Sequence, residues 1–135
     1  MMDLLIADKD VDARNQMADL FTEAGYDVTV ENSALNVLYD ILKGKAEVVL
    51  LGSELDDLKA GDLVPLLKKC NRHLVIILVA DDTPLPLIRK FRKEGIFYHA
   101  LRPVEPEDRQ EIRDVVECAF KNLLNAKPRR RPGYN

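Results

Sequence analysis

No apolar run in these 135 residues approaches the roughly 20 residues that cross a bilayer. The opening Met1-Met2-Asp3-Leu4-Leu5-Ile6 has no basic leader and passes straight into a strand-like segment. It therefore does not read as a secretory signal, and a cytoplasmic protein is expected. Cysteine is scarce. Cys70 and Cys118 lie far apart without metal-ligand spacing, which excludes a disulfide framework and a thiolate metal site. Of the two histidines, neither His73 nor His99 has a ligating neighbour at metal spacing. There is no glycine-rich phosphate loop, no Ser-His-Asp arrangement and no zinc motif.

What is present is an ordinary globular composition, 47% apolar and 32% charged. Charge is unevenly distributed. Lys127, Arg129, Arg130 and Arg131 give the last nine residues +4; with −3 overall, the other 126 residues carry −7. The body, about residues 1–125, reads as one domain, and residues 126–135 read as a basic, mobile tail. Three arginines without interleaved aromatics make nucleic-acid binding an unlikely role.

The chain is organised around Val48-Val49-Leu50-Leu51-Gly52. Four consecutive apolar residues, two of them β-branched, indicate a strand buried on both faces. Leu4-Leu5-Ile6-Ala7 and Leu74 to Val79 are two more such runs. Tyr26 to Val30 alternates like a strand nearer an edge, and Ile96 to Leu101 is a weaker fifth. Helical patterns fill the intervals. They place Met17, Leu20, Phe21 and Ala24 inward, then Ala34, Val37, Leu38, Ile41 and Leu42, then Leu63, Leu66 and Leu67. Leu87, Ile88 and Phe91 follow, and a last helix covers about Glu107 to Leu124. Asp10 or Asp12 is expected to cap the first helix, Asn32 or Ser33 the second, and Thr83 the fourth, ahead of Pro84. Pro65 is expected in the first turn of the third. A strand-helix unit repeated five times with short connections calls for one parallel sheet with helices on both faces.

In such sheets ligands collect beyond the carboxyl ends of the strands. After the central strand that position is Gly52, which has no functional group. In four places the spacing resembles a response-regulator receiver domain, the phosphoacceptor module of two-component signalling. These are Leu-Leu-Ile-Ala-Asp8, Val-Val-Leu-Leu-Gly52, Gly61, and Gly95 through Arg102-Pro103, and the likeness covers about residues 3 to 124. It implies a flavodoxin-like (βα)5 fold with strand order 2-1-3-4-5.

The departures from that family define the expectations. The family's acceptor aspartate matches Gly52, and its second metal-binding acid matches Lys9, beside Asp8. Its hydroxyl residue matches Ala80, its lysine Arg102 and its aromatic switch residue His99. Phosphoryl transfer to a carboxylate needs an in-line carboxylate, a cation and donors for the oxygens. A degenerate pocket of Asp8, Lys9, Gly52, Ala80 and Arg102 supplies too few of these. Weak or no magnesium binding is expected, with Lys9 and Arg102 neutralising Asp8 instead, and no enzymatic activity. The resemblance implies a pseudo-receiver that binds a signalling protein. The partner face would include Ile88, Arg92, His99 and Arg102, and a homodimer could form through the fourth helix, fifth strand and last helix. Two alternatives are an unorthodox acceptor at Ser53 or Glu54, and a nucleic-acid regulator using the tail.

Overall fold

The computed structural model describes residues 2–126, so the basic tail lies outside the described residues. Five strands and five helices alternate: β1 (Asp3–Ala7), α1 (Val11–Glu23), β2 (Asp27–Glu31), α2 (Ala34–Leu42), β3 (Val48–Gly52), α3 (Ala60–Cys70), β4 (Val75–Val79), α4 (Leu85–Glu94), β5 (Tyr98–Ala100) and α5 (Pro106–Ala126). All pairings are parallel, in the order β2-β1-β3-β4-β5. This is the doubly wound, flavodoxin-like arrangement that the sequence implies.

Strand pleating divides the core in two. Leu5, Ala7, Val49, Leu51, Ile76 and Leu78 face α2, α3 and α4. Leu4, Ile6, Val48, Leu50, Ile77 and Val79 face α1 and α5. Burial on both faces explains why β1, β3 and β4 are written as continuous apolar runs.

The caps are more specific than the sequence allows. Asp10 caps α1, accepting from Ala13 N at 3.2 Å. Ser33 caps α2 through Asn36 N at 3.2 Å. Asp57, from the acidic loop after β3, adds bonds from the amides of Ala34 (2.6 Å) and Leu35 (3.2 Å). Its carboxyl is held below its ordinary value, chiefly by the Ala34 amide. The acidic loop is therefore partly structural.

Several inward assignments are corrected. Leu42, Leu66 and Leu87 are exposed, and Ala24 is the exposed C-cap of α1. In α2 the buried side is Ala34, Val37, Asp40 and Ile41, and Leu42 stands about 100° round the helix from Ile41. Pro65 sits in the interior of α3, not its first turn. Pro84 itself is the N-cap of α4, without a side-chain cap from Thr83.

Adjacent residues on α3 separate the two faces. Leu67→Ala is expected to cost about 2–5 kcal/mol, the usual range for a buried leucine. Leu66→Ala should stay within about 0.5 kcal/mol, as exposed sites do. Urea unfolding of both variants measures the difference.

Candidate functional site

The ends of β1, β3 and β4 bring Asp8, Gly52 and Ala80 together. Asp8 is 2% exposed. Its backbone is fixed from two sides: Asp8 N donates to Glu31 O at 3.1 Å, and Arg14 Nη1 donates to Asp8 O at 3.0 Å. Asp8 Oδ1 accepts from Asp10 N at 2.9 Å, while Oδ2 is buried without a hydrogen-bond partner. Burial pushes the Asp8 carboxyl above its ordinary value, against the opposing pull of the Asp10 amide and of Arg102.

The carboxyl of Asp8 lies over Gly52. A Cβ on Gly52 would stand 2.8 Å from Asp8 Oδ1 and closer still to Cγ and Oδ2. The absence of a side chain at Gly52 is what allows Asp8 to occupy that space.

Arg102, just past β5, closes the pocket. Its Nη1 donates to Asp10 Oδ2 at 3.1 Å and its Nη2 lies 4.0 Å from Asp8 Oδ2. Its amide donates to Asp81 Oδ1 at 3.0 Å. Asp10 is held below its ordinary value, first by the Ala13 amide and then by Arg102. Ala80 N donates to Ala100 O at 3.0 Å. Ala80 O lies 2.9 Å from His99 Nε2, and since a carbonyl only accepts, that nitrogen carries the proton.

Asp8, Gly52, Ala80, His99 and Arg102 thus gather at the carboxyl ends of the strands, where Asp8 fills the space over Gly52. Lys9 does not join their ion cluster. Its amide donates to Glu54 O at 3.0 Å, its side chain is exposed, and among the described residues no ion pair links it to Asp8. A strand running into a turn sends successive side chains to opposite sides, so Lys9 points away from its neighbour. Asp10, two residues on, takes the place expected for Lys9 beside Asp8 and Arg102. That spacing was visible in Asp8-Lys9-Asp10. The roles of Arg14 and Asp81 carried no local signal. Ser53 and Glu54 are exposed and line a neighbouring cavity of about 410 Å³ with Lys59, Thr83 and Lys90, and Ile88 and Arg92 lie apart from the Asp8 cluster on α4.

A second titratable group borders the site. Glu31, at the end of β2, is pushed up to about 7, first by its hydrogen bond with Asp40 and then by burial. Asp40 is buried on α2 and pairs with Lys45 at 3.5 Å.

No protein-family model matches the chain. Among solved structures, a CheY-like response-regulator receiver domain protein from Methanospirillum hungatei JF-1 superposes with TM-score 0.78. It is 20% identical, over 90% of this chain and 98% of that one. The signal receiver domain of an HD domain-containing protein from Pseudomonas fluorescens Pf-5 gives 0.80, at 19% identity over 90% and 95%. The fold is that of the response-regulator receiver. In sequence, the chain is 28% identical over 130 residues to the DNA-binding transcriptional regulator NtrC of Rhizobium meliloti (strain 1021). It is 27% identical over 127 residues to that of Bradyrhizobium sp. (strain RP501 Parasponia). It covers 96% and 93% of itself in these matches but spans only about a quarter of either regulator.

Within this receiver fold, Gly52→Ala should destabilise by about 1–3 kcal/mol, the usual cost of overpacking. The cost should shrink in an Asp8→Ala background, because the clash is with the Asp8 carboxyl. Unfolding the two single variants and the double variant gives the coupling.

The pH dependence has a definite sign. Glu31 binds its proton more tightly folded than unfolded, so its contribution is full below pH 4.5 and is lost as pH rises to about 7. Asp8, also raised, acts in the same direction. Asp10 and Asp57, both lowered, lose stability only as pH falls toward and below 3.8. Melting temperature should therefore decline between pH 4.5 and 7, and Glu31→Gln should flatten the decline.

Proposed function

We propose that this chain is a receiver-type signalling domain of a two-component pathway that acts without an acyl phosphate, by binding a protein partner. One observation carries the reading: the Asp8 carboxyl occupies the space above Gly52 where an acceptor side chain would have to stand. Ala80 brings no hydroxyl, and its carbonyl is already engaged by His99. The receiver-fold neighbours and the partial likeness to NtrC regulators support the signalling context.

The residues do not suit magnesium. A hard divalent cation takes several oxygen ligands. Here the Arg102 guanidinium stands beside the Asp8 carboxyl and bonds that of Asp10, so a fixed cation already serves both. Burial favours a proton on Asp8, which further weakens it as a ligand. The Asp8–Arg102 cluster is thus a structural substitute for metal and phosphate.

The partner face is the surface of α4, β5 and α5. Arg92 is exposed there, Ile88 is half-buried, and Tyr98 is tied to α5 by its hydroxyl donating to Glu111 Oε2 at 2.8 Å. Arg102 and His99 both anchor β5, which fixes this face without phosphorylation.

Incubation with acetyl phosphate should leave the intact mass unchanged, with no adduct of about 80 Da, one phosphoryl group. A titration with millimolar magnesium should give no saturable heat. A stoichiometric, base-labile adduct would overturn the reading.

A further inference from the structure

The largest unabsorbed feature lies on the opposite side of the molecule from α1 and α5. Leu35 is 70% exposed, Tyr39 54%, Leu42 69% and Leu66 42%. They line a shallow groove of about 650 Å³ between α2 and α3, with Lys69 and Cys70 at one end. The first three recur at i, i+4 and i+7 on α2, so they form one stripe. Clustered apolar exposure of this kind marks a contact surface rather than scattered surface leucines.

Charge runs along the groove in one direction. On α3, Asp62, Leu66 and Lys69 also fall at i, i+4 and i+7, giving acid, apolar and base in order, with Lys59 at the N-cap beside Asp56, Asp57 and Asp62 at an end that stays acidic on balance. On α2, Asp57 binds the first amides ahead of Leu35, and Lys43 follows Leu42. Lys43 Nζ lies 5.2 Å from the centre of the Tyr39 ring, and Lys45 Nζ lies 6.0 Å from it. Lys45 also pairs with buried Asp40, and Glu47 is the other acid near this end. Because α2 and α3 are parallel crossovers of one sheet face, the two acidic ends coincide and so do the two basic ends.

A surface that reads acid–apolar–base is complementary to itself when turned end to end. We propose that the α2–α3 groove is the contact between two copies of this chain, related by a two-fold axis with their α2 helices antiparallel. That arrangement sets Leu35 near Leu42 of the other copy, Tyr39 near the axis, and Asp62 opposite Lys69. It is isologous and closed, so it yields a dimer rather than a filament. The four exposed side chains offer roughly 100 Å² each, judged from usual side-chain areas. With the charged rim, the interface falls at the small end of specific contacts, near 1,000–1,200 Å² in total by the usual size classes. A concentration-dependent dimer is therefore expected. It leaves α4, β5 and α5 free for a partner.

Sedimentation velocity of the full chain, over roughly 1 to 500 µM to bracket a micromolar dissociation constant, is the test. The weight-average mass should rise toward twice that of the chain. Tyr39→Glu should abolish the rise while circular dichroism and melting temperature stay native, since the side chain is exposed. Lys69→Asp alone should also abolish it, by opposing two acids. Asp62→Lys combined with Lys69→Asp should restore it. A chain that stays monomeric, a dimer that survives Tyr39→Glu, or a charge swap that fails to restore pairing in a folded variant would overturn the proposal. So would loss of the dimer on Tyr98→Glu instead, which places it on the β5 face.

Discussion

The pocket depends on a carboxyl group packed where a side chain is missing. Asp8 sits over Gly52, deep enough that its charge is costly and one oxygen has no hydrogen-bond donor. Three things reduce that cost: the Asp10 amide on Oδ1, the Arg102 guanidinium at 4.0 Å, and a raised proton affinity. At 4.0 Å the ion pair is loose. The amide bond therefore matters at least as much as the arginine.

Arg102 does more through its position than through its pairing with Asp8. It reaches Asp10 at the start of α1 by its guanidinium and Asp81 after β4 by its amide. With His99 donating to Ala80 O, three bonds fasten the short β5 to the segment after β4 and to the start of α1. β5 has only three residues, and Phe97 N donates to Ile76 O at its entry. A strand this short on the sheet edge holds its place through such side-chain bonds as much as through its ladder.

How much of this was legible in the sequence differed by type of residue. The sheet was legible because β1, β3 and β4 are buried on both faces, and uninterrupted apolar runs have few other meanings. Asp8, Gly52, Ala80 and Arg102 were legible in position because each lies at or just past the end of a strand, and strand ends converge by topology. The errors came where one element has two sides. Leu42 and Leu66 are apolar but face water, so periodicity assigned both to the wrong face, while polar Asp40, which it left unplaced, is buried. Lys9 failed for a related reason: adjacency in sequence was taken for adjacency in space, and its side chain leaves the pocket. Asp57 could not be found locally. Its partners, Ala34 and Leu35, lie more than 20 residues away.

Asp40 of α2 also joins the strand ends to the outer surface. Asp8 N donates to Glu31 O, the Glu31 carboxyl meets Asp40, Asp40 pairs with Lys45, and Lys45 lies over the ring of Tyr39. Contiguity alone transmits nothing; coupling needs a member with two states that both ends can bias. Most of this series is fixed by burial or backbone bonds. Glu31, titrating at about 7, is the member whose charge changes within the physiological range. Losing its proton sets two carboxylates against each other beside one lysine. A proton at the end of β2 is thus a variable charge placed between the strand ends and the α2 surface.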